Sequence, residues 1–141
     1  MTNFKKILTS ILVVTFLMAT PIFQAYAANT GNEISPRMTY ISSSNVDLYI
    51  NNNEALICAS VTGYTSVTKC ELNVVLQEYN SGDWDDHKIW NKSYNSRRCY
   101  FEESTTNITL GNSYRAVITI TAWSGSKSET QTIITDTYIY N

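Results

Sequence analysis

Most of what a catalytic or metal site requires is missing from this chain. It has one histidine, two prolines and five glycines among 141 residues. A lone histidine, His87, cannot supply the several imidazoles typical of transition-metal sites, and it would be the single base available to a serine nucleophile. No G-x-S-x-G elbow occurs. The three cysteines, Cys58, Cys70 and Cys99, include no C-x-x-C spacing, so neither a zinc knuckle nor a thioredoxin-type redox motif is supported. Basic residues are sparse, 10 against 12 acidic. A nucleic acid needs clustered cations to displace its counterions, and an anionic membrane surface needs the same, so neither is an expected partner. Beyond residue 27 no window carries an i, i+3, i+4, i+7 apolar stripe of helical length. Almost no helix is expected, and no cofactor is implied.

What is present begins with an export signal. Lys5 and Lys6 precede the apolar stretch "ILTSILVVTFLMA", and Ala25 and Ala27 of "AYA" place small residues at −3 and −1 of a cut before Ala28. The apolar run is 13 residues long, too short for the roughly 20 that a bilayer core demands. Residues 1–27 are read as a signal peptide, residues 28–36 ("ANTGNEISP") as a flexible polar arm, and residues 37–141 as one domain. The expected product is secreted, extracellular, and without a transmembrane segment after cleavage.

The remaining chain is a succession of short β-type runs divided by Asn, Ser, Gly and Thr: residues 37–42, 46–50, 54–62, 69–79, 87–93, 99–104, 113–123 and 129–140. Thr, Tyr, Ile and Val dominate them, as β propensity favours. Strand side chains alternate between faces. That puts Ala55, Ile57, Ala59 and Val61 on one side, with Cys58 opposite. It likewise aligns Cys70, Leu72, Val74 and Leu76, and Tyr114, Ala116, Ile118, Ile120 and Ala122. Strands with one apolar face require a second sheet to cover it. The expectation is an all-β, two-sheet antiparallel sandwich of about seven to eight strands.

One local motif adds a resemblance. "ITLGNSY", residues 108–114, leads from an apolar residue through Gly111 to Tyr114 and straight into an alternating strand. It resembles the tyrosine corner of immunoglobulin-like and fibronectin type III-like domains, where the hydroxyl bonds a nearby backbone group and pins a crossing between sheets. The resemblance implies that Tyr114 does so here and that Gly111 supplies the turn. The wider pattern, "VVLQEYNSGDWDDHKIW" followed by "GNSYRAVITITA", resembles small secreted Gram-positive proteins of unknown function. It carries no catalytic residue across.

The stretch "YNSGDWDDHKIWNKS" concentrates the polar and aromatic chemistry. Asp83, Asp85 and Asp86 offer oxygens suited to calcium, but Gly82 precedes them, unlike the D-x-[DN]-x-[DN]-G loop. Asp83 with Asp86 or Glu78 would need a cleft to act as a glycosidase pair, and short loops rarely build one. No metal site and no catalytic residue is expected. Trp84 and Trp90 are six residues apart, so an uninterrupted strand would place both on one face. An exposed pair would stack on sugar rings, extended by Tyr94 or Tyr100. The competing reading folds one or both inward, with Trp84 tucked against Tyr79. Trp123 reads as a half-buried edge residue.

For the cysteines, Cys70 and Cys99 begin strands in opposing sheets and are the favoured disulfide, leaving Cys58 as a free thiol. A Cys58–Cys99 bridge is the alternative. That thiol and the final run, an uncovered edge, leave room for a homodimer. The functional expectation is a non-enzymatic extracellular binding module for a glycan or a protein surface. The alternatives are a bacteriocin- or toxin-like effector and a passive surface-coat component. If the export reading is right, N-terminal sequencing of protein recovered from culture medium begins at Ala28; a start at Met1 would overturn it.

Overall fold

The computed structural model describes residues 37–141; the expected signal peptide and arm lie outside the described residues. Eight strands run β1 (Ile41–Asn51), β2 (Glu54–Gly63), β3 (Lys69–Asn80), β4 (Asp83–Tyr94), β5 (Arg98–Thr105), β6 (Ser113–Ser124), β7 (Lys127–Ile134) and β8 (Tyr138–Ile139). Two antiparallel sheets contain them, one ordered β1-β2-β5 and the other β4-β3-β6-β7, with β8 paired to β6. Consecutive strands within a sheet are joined by tight turns. Asn52 and Asn53 (φ 48° and 66°) make one, and Ser81 and Gly82 (φ 53° and 109°) another. Positive φ at both central residues matches the turn's twist to that of the strands. Among the described residues no helix is long and apolar enough to cross a membrane.

The alternation read from the sequence is the alternation of burial. Ile57, Val74, Leu76, Ala116, Ile118 and Ile120 are fully buried, and Leu48, Leu72 and Phe101 nearly so. They form one continuous core between the sheets, together with Tyr114. Cys58 sits on the outer face of β2 as a free thiol, pushed above its ordinary pKa by partial burial and by the nearby Glu102 and Asp47 carboxylates.

Four runs differ from expectation. Residues 37–42 and 46–50 are not two strands, because Ser43, Ser44 and Asn45 continue the pairing with β2 and turn nothing. The run expected at residue 87 starts at Asp83, because β3 is long enough to pair with it from Asn80 onward. Asp83, Asp85 and Asp86 are therefore strand residues, and the turn itself is only Ser81 and Gly82. The final run breaks after Ile134 and resumes as the two-residue β8, so the edge of the larger sheet is β7, Lys127–Ile134.

The two sheets share no backbone ladder, and side chains close the gap between them. Cys70 on β3 and Cys99 on β5 form the disulfide, with Cα atoms 6.1 Å apart and a sequence separation of 29 residues. Closing a loop of that size stabilises the fold by roughly 3–4 kcal/mol on chain-entropy grounds. The alternative bridge fails on register. Cys99 pairs with Val61, whereas Cys58 pairs with Glu102, so the two cysteines point to opposite faces of one sheet. Beside the disulfide, Trp90 meets Phe101 edge-on at 5.9 Å and Lys92 pairs with Glu103 at 2.7 Å. Tyr94 also donates its hydroxyl to the Tyr100 carbonyl. On the opposite side Glu129 of β7 accepts the backbone N–H groups of Thr39, Tyr40 and Ile41 at 2.8, 2.7 and 3.1 Å.

Desolvation would raise the Glu129 pKa, but the three N–H donors outweigh it and hold the carboxyl below its ordinary value. The stability this contributes is complete above the unfolded pKa, near 4.3, and is lost as pH falls through the lower folded value. Glu129→Ala is expected to destabilise the fold by about 1–3 kcal/mol, because it strands several backbone donors. Urea titration at pH 7 and pH 3 checks this: the difference between variant and parent should shrink at pH 3.

Candidate functional site

The candidate residues fall on β3, β4 and β6, and one irregularity decides which way they face. In the β3–β4 pairing Leu76 meets Lys88 and Gln77 meets Asp86, so His87 has no partner. This is a β-bulge, one extra residue on β4. Before it, Trp84 pairs with Tyr79; after it, Trp90 pairs with Val74. Val74 is fully buried and Tyr79 is exposed, so the two tryptophans lie on opposite faces. The shared Trp84–Trp90 platform does not form, because the even spacing guarantees one face only in an unbroken strand. Trp90 and Tyr94 turn inward and pack against the core. Trp84 stays outside, with its ring centroid 5.2 Å from that of Tyr79.

The bulge also turns His87 toward the end of the core. Its ring stands edge-on to Tyr114 at 5.7 Å, its Nδ1 lies 3.2 Å from Glu78 Oε2, and its Nε2 reaches the Asn107 carbonyl. Glu78 Oε1 accepts from the Tyr114 hydroxyl at 2.7 Å and from Asn112 Nδ2 at 2.5 Å. The Tyr114 hydroxyl in turn accepts the Thr109 N–H at 2.8 Å, and Gly111 takes the positive φ (88°) that this crossing needs. Sequence reasoning weighed Glu78 only as a catalytic carboxylate. The signal for its actual place was available, since period two from Leu72, Val74 and Leu76 puts Glu78 on the inner face. A charge there needs partners. Asn112, Tyr114 and His87 hold the Glu78 carboxyl below its ordinary pKa against a smaller desolvation effect, and burial pushes the Tyr114 hydroxyl up. The sole histidine is thus spent on fastening β4 to β3 and to the β5–β6 crossing.

The outer face of the larger sheet is laid out in registered rows. Ile89, Val75, Val117 and Ile134 form one apolar row across four strands, open to solvent at Ile89 (51%) and Ile134 (53%). The next row holds Asn91, Asn73, Thr119 and Thr132. Asn73 Nδ2 donates to Asn91 Oδ1 at 2.8 Å, and the two threonine hydroxyls are 3.4 Å apart. Then come Ser93, Glu71, Thr121 and Thr130, and beyond them Trp123. Its indole Nε1 donates to Glu71 Oε2 at 3.2 Å, and Lys69 lies 5.8 Å above the ring. Lys69 and Trp123 hold Glu71 below its ordinary pKa, so it is ionised at neutral pH and accepts hydrogen bonds.

A groove of about 330 Å³ runs over these rows, lined by Glu71, Asn73, Asn91, Ser93, Thr119 and Thr121 with Leu72 and Lys92. Two other depressions have similar volumes, one beside Tyr64 (about 330 Å³) and one beside Ile139 (about 310 Å³). Chemistry, not size, sets the first apart: six hydrogen-bonding side chains on three strands, held in register by the ladder. Among the described residues no group of three or more His, Cys, Asp or Glu could hold a metal ion.

The described residues form an all-β, two-sheet antiparallel sandwich of eight strands. No protein-family model and no curated protein matches the chain. Among solved structures it is similar to the E. coli curli protein CsgC (SeCys form), at 16% identity and a TM-score of 0.40, covering 64% of this chain and 95% of that one.

Tyr114→Phe removes the acceptor of the Thr109 N–H and one donor to Glu78. It is expected to cost about 1–3 kcal/mol, read as a drop of several degrees or more in thermal midpoint. In a Glu78→Gln variant the loss of stability on acidification should be shallower than in the parent. The depressed Glu78 pKa makes its contribution complete above about 4.3 and lost below. Equal acid slopes in the two proteins would refute this.

Proposed function

We propose that the chain is a secreted, non-enzymatic binding module that takes a glycan on the outer face of the β4-β3-β6-β7 sheet. The observation that carries this reading is the groove floored by Asn73, Asn91, Thr119, Thr121, Ser93 and Glu71, with Trp123 beside it. Amide and hydroxyl groups match the alternating donors and acceptors of sugar hydroxyls, and an indole offers a face for the apolar side of a pyranose ring. The core of a protein–protein interface is typically more apolar, so the polar floor favours a glycan over a protein surface. Of Trp84, Trp90 and Tyr94, the residues expected to form a sugar platform, Trp84 alone belongs to this face. Trp90 and Tyr94 contribute by keeping β4 closed over the core.

The fold reading goes with it. The Tyr114 hydroxyl bonded at the β5–β6 crossing supports an immunoglobulin-like or fibronectin type III-like sandwich. Between the two, β4 pairs with β3 and not with β5. That favours the fibronectin type III-like arrangement, since immunoglobulin constant-type domains place the fourth strand beside the fifth. Likeness to small secreted Gram-positive proteins is part of the same proposal, supported by the export pattern of residues 1–27.

Titration of the purified protein with soluble polysaccharides, followed by tryptophan emission and calorimetry, tests the function. Saturable binding is expected. Trp123→Ala should weaken it about tenfold, or about 1.4 kcal/mol, while Tyr49→Ser on the other sheet leaves it unchanged. Absence of binding across neutral and acidic polysaccharides would sink the proposal.

A further inference from the structure

Arg115 on β6 is an unusual cation for its surroundings. Its guanidinium carbon lies 4.2 Å from the centroid of the Trp84 ring, and its Nε donates to Gln77 Oε1 at 2.9 Å. Stacking and the Nε bond together hold the planar group in one orientation. None of the three ion pairs among the described residues includes it. Acidic side chains flank Trp84 in sequence, and Asp136 follows Thr135 beside Ala116, yet none of the described residues forms an ion pair with Arg115. Asp85 pairs with Glu78 on the inner side of β4 and accepts from Asn80. Asp86 shares the outer face, but Gln77 stands between it and Arg115, donating its Nε2 to Asp86 Oδ1 at 2.9 Å. The Gln77 amide is thereby fixed with its oxygen toward Arg115. The four N–H bonds on the two Nη atoms are left for something outside the described chain.

We infer that Arg115, fixed between Trp84 and Gln77, is a carboxylate subsite at one end of the glycan groove, and that the ligand is an acidic, uronate-containing glycan. The inference rests on the glycan reading above and names its ligand class. Arg115 pairs with Gln77, and Thr119 pairs with Asn73, so the subsite lies four residues along β3 from the polar floor. At about 3.3 Å per residue this is roughly 13 Å. The intervening row is Val75, Val117 and Ile89, an apolar strip suited to the C–H faces of sugar rings. A glycan lying along β3 would meet the Trp123 indole at one end and the guanidinium at the other. A planar guanidinium takes a carboxylate through two parallel N–H···O bonds, a recognition that a neutral sugar cannot use.

Calorimetric titration of the purified chain with oligogalacturonate and with a neutral cello-oligosaccharide of equal length tests this. The acidic glycan is expected to bind at least tenfold tighter at low ionic strength, with the advantage shrinking as salt screens the pair. Arg115→Gln should bring the two affinities together. Arg115→Lys keeps the charge without the planar fork and should retain part of the preference. Trp123→Ala should weaken both ligands alike. Equal affinity of the parent for both glycans, or a preference that survives Arg115→Gln, overturns the carboxylate subsite and leaves the glycan groove standing. Failure of both glycans to bind overturns the groove and the subsite together. Displacement of oligogalacturonate by a poly-glutamate peptide at equal concentration would reassign the subsite to acidic peptides and overturn the uronate inference.

Discussion

Two facing sheets with no backbone ladder between them depend on side chains for every link across the gap. Burial of the alternating apolar faces brings the sheets together, but a hydrophobic contact has no direction and leaves both seams open. Each seam here has its own closure. On one side the Cys70–Cys99 disulfide, Trp90 against Phe101 and the Tyr94 hydroxyl tie β3 and β4 to β5. On the other, a single carboxylate, Glu129, holds three successive N–H groups at the start of β1. A hydrogen bond to an ionised group is about twice as strong as a neutral one, and Ser44 Oγ of β1 adds a neutral link to Gln131 Oε1 of β7 at 3.2 Å.

The same requirement explains why the larger sheet has a free outer face. Trp90, Lys92 and Tyr94 of β4 are committed to closing a seam, and His87 to the Glu78–Tyr114 cluster. Closure therefore uses the inner side of β4, and the bulge at His87 separates that duty from the outer side. Trp84, Asp86, Ile89, Asn91 and Ser93 are left in register with β3, facing solvent. A surface of registered polar rows and one apolar row, flanked by Trp84 and Trp123, is what remains after the sandwich has satisfied its own closure.

Much of this was readable beforehand, for physical reasons that differ by feature. The inner faces of β2, β3 and β6 follow from side-chain alternation alone, and so does the failure of a Cys58–Cys99 bridge once the register is known. Tyr114 was legible because a local motif of seven residues encodes it. The bulge was not legible: a single unpaired residue has no compositional mark, and it reversed the face of every residue on one side of it. For the same reason the Trp84–Trp90 pair dissolved while the neighbouring face assignments survived. The rows of the candidate groove were equally hidden, since Thr119, Asn73 and Asn91 come together only when β3, β4 and β6 are laid side by side.

What the chain's residues determined unaided is local: which stretches are extended, which face of each is apolar, and that no cluster of histidines or paired cysteines supplies chemistry. Those properties depend on neighbours within a few positions, and period two carries them. What only the tertiary structure decided is relational: which strand flanks which, that Glu78 and Glu129 are fasteners, and that Arg115 has no ion-pair partner among the described residues. Strand order and register depend on contacts dozens of residues apart, and no local pattern records them. A one-residue bulge is enough to change the outcome.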